Sequence, residues 1–268
     1  MSTPTTTDRT AALPRTTRGG CWWGAIAFEW TKLSSVRSTW WIIVAAFVAA
    51  LLGSWLLGAS ALASGRNGLD SAMPAPAIVV QTMLVVEIVI VLLSTFTITG
   101  EYSTGSITTT LQEVPRRKQM LLAKTAVVLV TGVVLGAALI VVGTPVASAS
   151  ASQFGAFDAV DLVRAIVGTG LGLGLLGVFV LGLATALRSA SLTIITVLGL
   201  LHLVPNLLPL FGVDAISDLV QYLPNQAMAV LAVDTAGPYG WPTAVLILLG
   251  WAMAGLLTGY LVLRSRDV

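Results

Sequence analysis

Apolar residues along this chain come in long unbroken runs, separated by short polar stretches. Six runs occur, at residues 40–62, 77–99, 120–146, 163–187, 190–210 and 241–263. An α-helix rises 1.5 Å per residue, so about 20 apolar residues cross a bilayer core. Each run therefore predicts a membrane-spanning helix. The fifth is interrupted by Pro205 and Pro209 and is expected to kink or end near Val204. Only Arg188 and Ser189 separate the fourth from the fifth, which predicts a tight hairpin.

Composition agrees with this pattern. The chain is 56% hydrophobic and 10% charged, whereas soluble domains carry about 25% charged residues. The predicted fold is all-α: a polytopic membrane protein with six spans, an N-terminal interfacial helix and short outer helices before the last span. The single cysteine, Cys21, excludes an internal disulfide framework and reads as an inert thiol near the inner face.

Orientation follows from the placement of Lys and Arg. With the N-terminus inside, the inner segments hold Arg9, Arg15, Arg18, Lys32, Arg37, Arg116, Arg117, Lys118, Lys124, Arg188, Arg264 and Arg266; the outer segments hold Arg66 and Arg164. The outer loops carry Asp70, Asp158, Asp161, Asp214, Asp218 and Asp234. Both termini are expected in the cytoplasm, with the protein in the plasma membrane. Ala61-Leu62-Ala63 resembles a signal-peptidase site, but the span before it is longer than a signal core, so an uncleaved first helix is expected.

Residues 1–21 are rich in Thr, Pro and Arg and predict a disordered tail; residues 22–268 form one six-span membrane domain. Within residues 22–38, Trp23, Ile26, Trp30 and Leu33 recur at helical spacing, with Thr31, Lys32 and Ser35 opposite. Tryptophans beside a basic edge suit a helix lying in the inner interface. The alternative, an extension of the first span, would draw Glu29, Lys32 and Arg37 into lipid. In the outer segment 211–240, Asp214 could cap a helix through Gln221 that Pro224 ends, and a second helix could cover residues 225–233. Both are apolar enough to dip back against the bundle. Gly132/Gly136, Gly168/Gly172, Gly170/Gly174 and Gly255/Gly259 are GxxxG pairs that allow close helix approach within the bundle or between subunits.

Candidate chemistry is sparse. The chain has no GxxxxGK[ST] phosphate loop, no HExxH or paired His/Cys spacing, and no GxSxG serine. No cofactor or metal is expected, and no ATP hydrolysis by this chain. The lone His202, near Pro205, reads as a neutral hydrogen-bonded side chain. Glu87 lies near the middle of the second run, where a charge costs at least about 2.5–3.5 kcal/mol. It reads either as a polar element of a substrate or proton path, or as a neutral acid in an interhelical hydrogen bond. No basic block with interleaved aromatics points to nucleic acid.

The most polar internal stretch is 99–124, TGEYSTGSITTTLQEVPRRKQMLLAK, between the second and third runs. Together with Glu29-Trp30-Thr31-Lys32 and Val36-Arg37-Ser38-Thr39 ahead of the first run, and Tyr222-Leu223-Pro224 in the last outer loop, it resembles the permease subunits of type-2 ABC exporters, in their short actinobacterial form. The likeness runs from about Ala25 to the C-terminus. It implies an elbow helix at 22–38. It implies a coupling segment at about 100–119, with Glu101, Tyr102, Gly105, Arg116 and Arg117 at its core, touching a separate cytosolic ABC ATPase. It implies a second permease copy or paralogue, as homo- or heterodimer, in contact with membrane lipids. The alternatives are a proton-coupled secondary transporter using Glu87, which would need inverted repeats with a broken helix in each half, and a non-transporting scaffold.

Overall fold

The computed structural model describes residues 22–69, 72–104, 117–211, 218–233 and 239–265. The elements are α1 (Trp22–Ser35), α2 (Arg37–Arg66), α3 (Ala75–Gln81), α4 (Met83–Thr104), α5 (Arg117–Ala151), α6 (Ala159–Leu187), α7 (Ala190–Leu198), α8 (Val204–Leu207), α9 (Pro224–Ala232) and α10 (Trp241–Ser265). No strand occurs among the described residues. Six stretches are long and apolar enough to cross a membrane: Arg37–Arg66, Met83–Tyr102, Lys118–Gly155, Ala159–Leu187, Ala190–Leu210 and Trp241–Ser265. They correspond one to one with the six apolar runs. The protein is an all-α, multi-pass membrane protein. The predicted tail 1–21 lies outside the described residues.

The bundle is organised around α6, which is buried along most of its length and packs chiefly on α5 and α10. Glycine sets these distances. A Cβ on Gly132 would stand 2.6 Å from Gly174 Cα, and one on Gly182 would stand 2.2 Å from the Gly255 carbonyl carbon. Backbone meets backbone at both seams, and no side chain fits. The GxxxG pairs thus serve contacts inside this chain: Gly132 and Gly136 join α5 to α6, while Gly255 and Gly259 join α10 to α6. A Cβ on Gly168 would meet the Leu231 carbonyl oxygen at 2.3 Å, which seats α9 on the same hub.

Two ends of the bundle differ in charge. One, here the basic end, carries α1, the C-terminal ends of α4 and α10, and the start of α5. The opposite, acidic end carries α9 and the loops around Asp158, Asp161 and Asp218. At that end Asp158 and Asp161 form a reciprocal capping box that starts α6. At the basic end Arg188 ends α6 with φ 55°, a left-handed conformation uncommon for a side-chain-bearing residue. Ser189 then caps α7 by accepting from Leu192 N. This is the predicted tight hairpin.

Three breaks shape the site. Val36, in extended conformation (φ −82°, ψ 112°), separates α1 from α2, and Trp40 Nε1 donates to Ser34 O at 2.9 Å across the break. Residues 22–35 are therefore a helix of their own, and not an extension of the first span. Thr82 interrupts the second apolar run between α3 and α4, its hydroxyl donating to Val79 O at 2.7 Å. The fifth span departs from α geometry sooner than its prolines alone suggest. Residues Gly199–Leu203 form a π-helical turn, with Val204 N–H donating to Gly199 O, and Leu208–Phe211 tightens to 3-10. Pro205 has no N–H, so the Leu201 carbonyl four residues back loses its α-helical donor. Asn225 Nδ2 of α9 donates to that carbonyl at 3.4 Å.

The outer segment is helical on both sides of Pro224. Residues 218–220 are helical and turn out at 221–222, and Pro224 then starts α9 at its first turn, where a proline at N1 gives up an N–H that has no helical partner anyway. Residues 214–217 of the expected helix from Asp214 lie outside the described residues. The second expected helix is present as α9. Trp251 Nε1 donates to Tyr222 O at 2.9 Å, and Tyr239 O–H donates to Gln221 O at 2.5 Å, so the segment lies against the bundle.

Candidate functional site

At the basic end, four charged side chains from three helices converge. Lys124 of α5 is fully buried. Its Nζ donates to Glu29 Oε2 of α1 at 2.7 Å, to Glu101 Oε1 of α4 at 2.5 Å and to the Thr97 carbonyl at 3.3 Å. Lys32, one helical turn after Glu29, also donates to Glu101 Oε1. Three donor directions match the three hydrogens of an ammonium group. Two carboxylates flank this buried ammonium group; without it Glu29 would be a buried unpaired anion, and Glu101 would keep Lys32 alone. Burial holds the Glu29 carboxyl above its ordinary value, against the opposing pull of Lys124. Glu101 Oε2 is buried with no hydrogen-bond partner among the described residues.

The local sequence explains how the cluster is presented. On α1 the tryptophans Trp23 and Trp30 are exposed, while Ala25 and Glu29 are buried. The helix thus turns its aromatic face to the surroundings and its acid toward α5. Lys32 keeps part of its stem exposed, as a snorkelling lysine does. Beside the cluster, the Arg188 guanidinium lies 5.1 Å from the Tyr102 ring centroid, a cation–π contact that links the α6–α7 hairpin to the end of α4.

A second polar constellation lies toward the acidic end. Glu87, in the second turn of α4, is buried, and its Oε2 stands 3.2 Å from His202 Nε2. His202 belongs to the π-helical turn of the fifth span. Both side chains line a cavity of about 580 Å³ that also touches Met73, Gln81, Asn225 and Ala229. The helix break at Thr82 places Glu87 one turn into α4, within reach of the fifth span.

A sequence profile of a family described as "ABC-2 family transporter protein" matches residues 25–212. The chain belongs to the ABC-2 transporter family. Its matched part runs from α1 through the fifth span and includes every charged residue of the basic-end cluster, as well as Glu87 and His202. It stops short of Tyr222-Leu223-Pro224 and α10. A search of curated proteins finds no match. The protein is a transporter permease of the ABC-2 type.

Within this ABC-2 permease the residues expected at the coupling segment divide. Glu101 and Tyr102 close α4, and Glu101 is the acceptor shared by the two lysines. Arg117 is the first residue of α5. Gly105 and Arg116 lie outside the described residues. Glu29, Lys32 and Lys124 were visible in the sequence as charges beside apolar runs, but their convergence was not, because they stand far apart in the chain. The signal available was only that Glu29 and Lys32 sit one turn apart on an otherwise tryptophan-rich helix. His202 does take a polar contact, and its partner, Glu87, was not legible from spacing.

Proposed function

We propose that this permease is the membrane subunit of an ATP-driven exporter, paired with a second six-span copy or paralogue and powered by cytosolic ABC ATPase subunits. The basic end faces the cytoplasm and the protein lies in the plasma membrane. Residues 1–21 are a cytoplasmic tail, and 22–268 form one permease domain. The coupling segment, about 100–119, hangs between α4 and α5 and presents Glu101, Tyr102, Gly105, Arg116 and Arg117 to the ATPase. Arg116 and Arg117 pair with acids of that partner or with anionic lipid. Glu87 lies on the translocation path.

One observation supports this reading above the others: the Glu29–Lys124–Glu101 contacts tie α1, α4 and α5 together at the stems of that segment. Buried charges that pair at 2.5–2.7 Å resist separation. A push on the segment is therefore passed to α4, α5 and the elbow helix as a unit. Moving that unit against α6 and α10 would alternate access between the two ends.

The test is charge reversal in the segment, Arg116→Glu with Arg117→Glu, in cells co-expressing the cognate ATPase. Copurified ATPase per permease is expected to fall, or hydrolysis to lose its substrate stimulation, while membrane insertion persists. Unchanged yield and unchanged coupling would remove the segment as the docking site.

A further inference from the structure

The cavity beside Glu87 has a composition that selects the sign of its occupant. Its volume, about 580 Å³, lies in the range of about 300–1,000 Å³ that holds drug-sized ligands. The wall is mainly aliphatic, with Gln81, Asn225 and the Met73 thioether as its neutral polar groups. Among the described residues Glu87 is the carboxylate on this wall, and neither lysine nor arginine lines it. Asn225 and Gln81 already spend an amide N–H each, on Leu201 O and Met73 Sδ.

Glu87 is buried, and its Oε2 stands 3.2 Å from His202 Nε2. An ionised carboxylate in a low-dielectric wall needs a positive neighbour. His202 supplies one only while protonated, and it is itself about one-third exposed, at 30%. A ligand cation entering the cavity supplies the same charge and brings apolar surface to the aliphatic wall. The loops of this end carry Asp158, Asp161 and Asp218, which raise the local concentration of cations over anions.

We propose that the Glu87–His202 cavity binds a lipophilic organic cation, with Glu87 as its counter-ion and the wall formed by α3, α4, the π-helical turn and α9 as its apolar sleeve. This deepens the permease reading by naming a substrate class, and it rests on that reading for its role in transport. Binding itself needs no ATPase, so it can fail or succeed independently of copurification.

The experiment uses the full chain in lipid nanodiscs, with tetraphenylphosphonium as probe and tetraphenylborate, its anionic isostere, as control. Binding is the saturable part above that of empty discs. Tetraphenylphosphonium is expected to bind saturably and tetraphenylborate not to. Glu87→Gln is expected to weaken the cation about tenfold or more, since a charge-assisted contact is lost. Ala229→Phe, which fills the cavity without touching Glu87, is expected to weaken it similarly. If Glu87→Gln does not reconstitute as a folded protein, Ala229→Phe and the charge preference carry the test, and both must hold. Cation binding that is unchanged in a folded Glu87→Gln or in Ala229→Phe, or tetraphenylborate bound as tightly as its cationic isostere, overturns the proposal.

Discussion

Lys124 Nζ lies 2.7 Å from Glu29 Oε2, a contact between residues 95 positions apart in the chain. It joins the helix ahead of the first span to the start of the third. Removing the lysine alone strands the buried Glu29 carboxylate and leaves Glu101 with Lys32 alone. Lys124→Met is expected to destabilise the folded protein by about 3–5 kcal/mol. Adding Glu29→Gln and Glu101→Gln should recover much of that loss, because no buried charge is then left unpaired and Lys32, which loses Glu101, is partly exposed. Thermal unfolding in a fixed detergent reads both changes. A single variant as stable as the parent would show that the cluster is not desolvated.

Glu29 gives the cluster a pH dependence with a definite sign. Burial raises its folded-state pKa above the ordinary 4.5, so its favourable contribution is full below that value. It is lost as pH rises through the folded pKa. The stability of the parent relative to Glu29→Gln is therefore expected to decline from acid toward neutral pH. Parallel melts across that range check it, and a difference that grows with pH would reverse the assignment.

Gly182 is expected to tolerate no side chain. Its Cβ would meet the Gly255 backbone at 2.2 Å, so Gly182→Val should separate α6 from α10 and abolish a folded monodisperse peak. Gly250→Ala, on the same sixth span but with no heavy atom within 4 Å of its Cβ, should be neutral. Size-exclusion profiles of the two variants distinguish a specific seam from general glycine sensitivity.

Asn225 and Pro205 should behave as a coupled pair. Asn225→Ala leaves the Leu201 carbonyl without the side-chain donor, at a cost of about 1–2 kcal/mol. In a Pro205→Ala background a backbone N–H is restored nearby, and the same change should cost less. A double-mutant cycle on unfolding measures the difference, and strict additivity would separate α9 from the geometry of the fifth span.

The proposed orientation can be read directly. In a Cys21→Ser background, cysteines at Asp158 and Asp218 should react with an impermeant thiol reagent in intact cells, and cysteines at Ser103 and Ser265 only after lysis. External labelling at position 103 would turn the protein over.

The linear sequence by itself determined the membrane class, the six spans, the hairpin at Arg188-Ser189 and the separate helix ahead of the first span. Each depends on local quantities: run length, proline position, and the cost of placing Glu29 or Lys32 in lipid. It also marked Glu87 as a charge in a costly place, while Glu101 entered only through the family resemblance, as part of the coupling segment. Their partners were beyond it. Lys124 meets Glu29 and Glu101, and Glu87 meets His202, only because glycine seams let α5 and α10 close on α6, and because breaks at Thr82 and Gly199–Leu203 turn two spans toward each other. A buried charge announces that it needs a counterpart, but which residue answers depends on how helices pack. Apolar runs that all face lipid or one another carry no periodicity to say which face goes where.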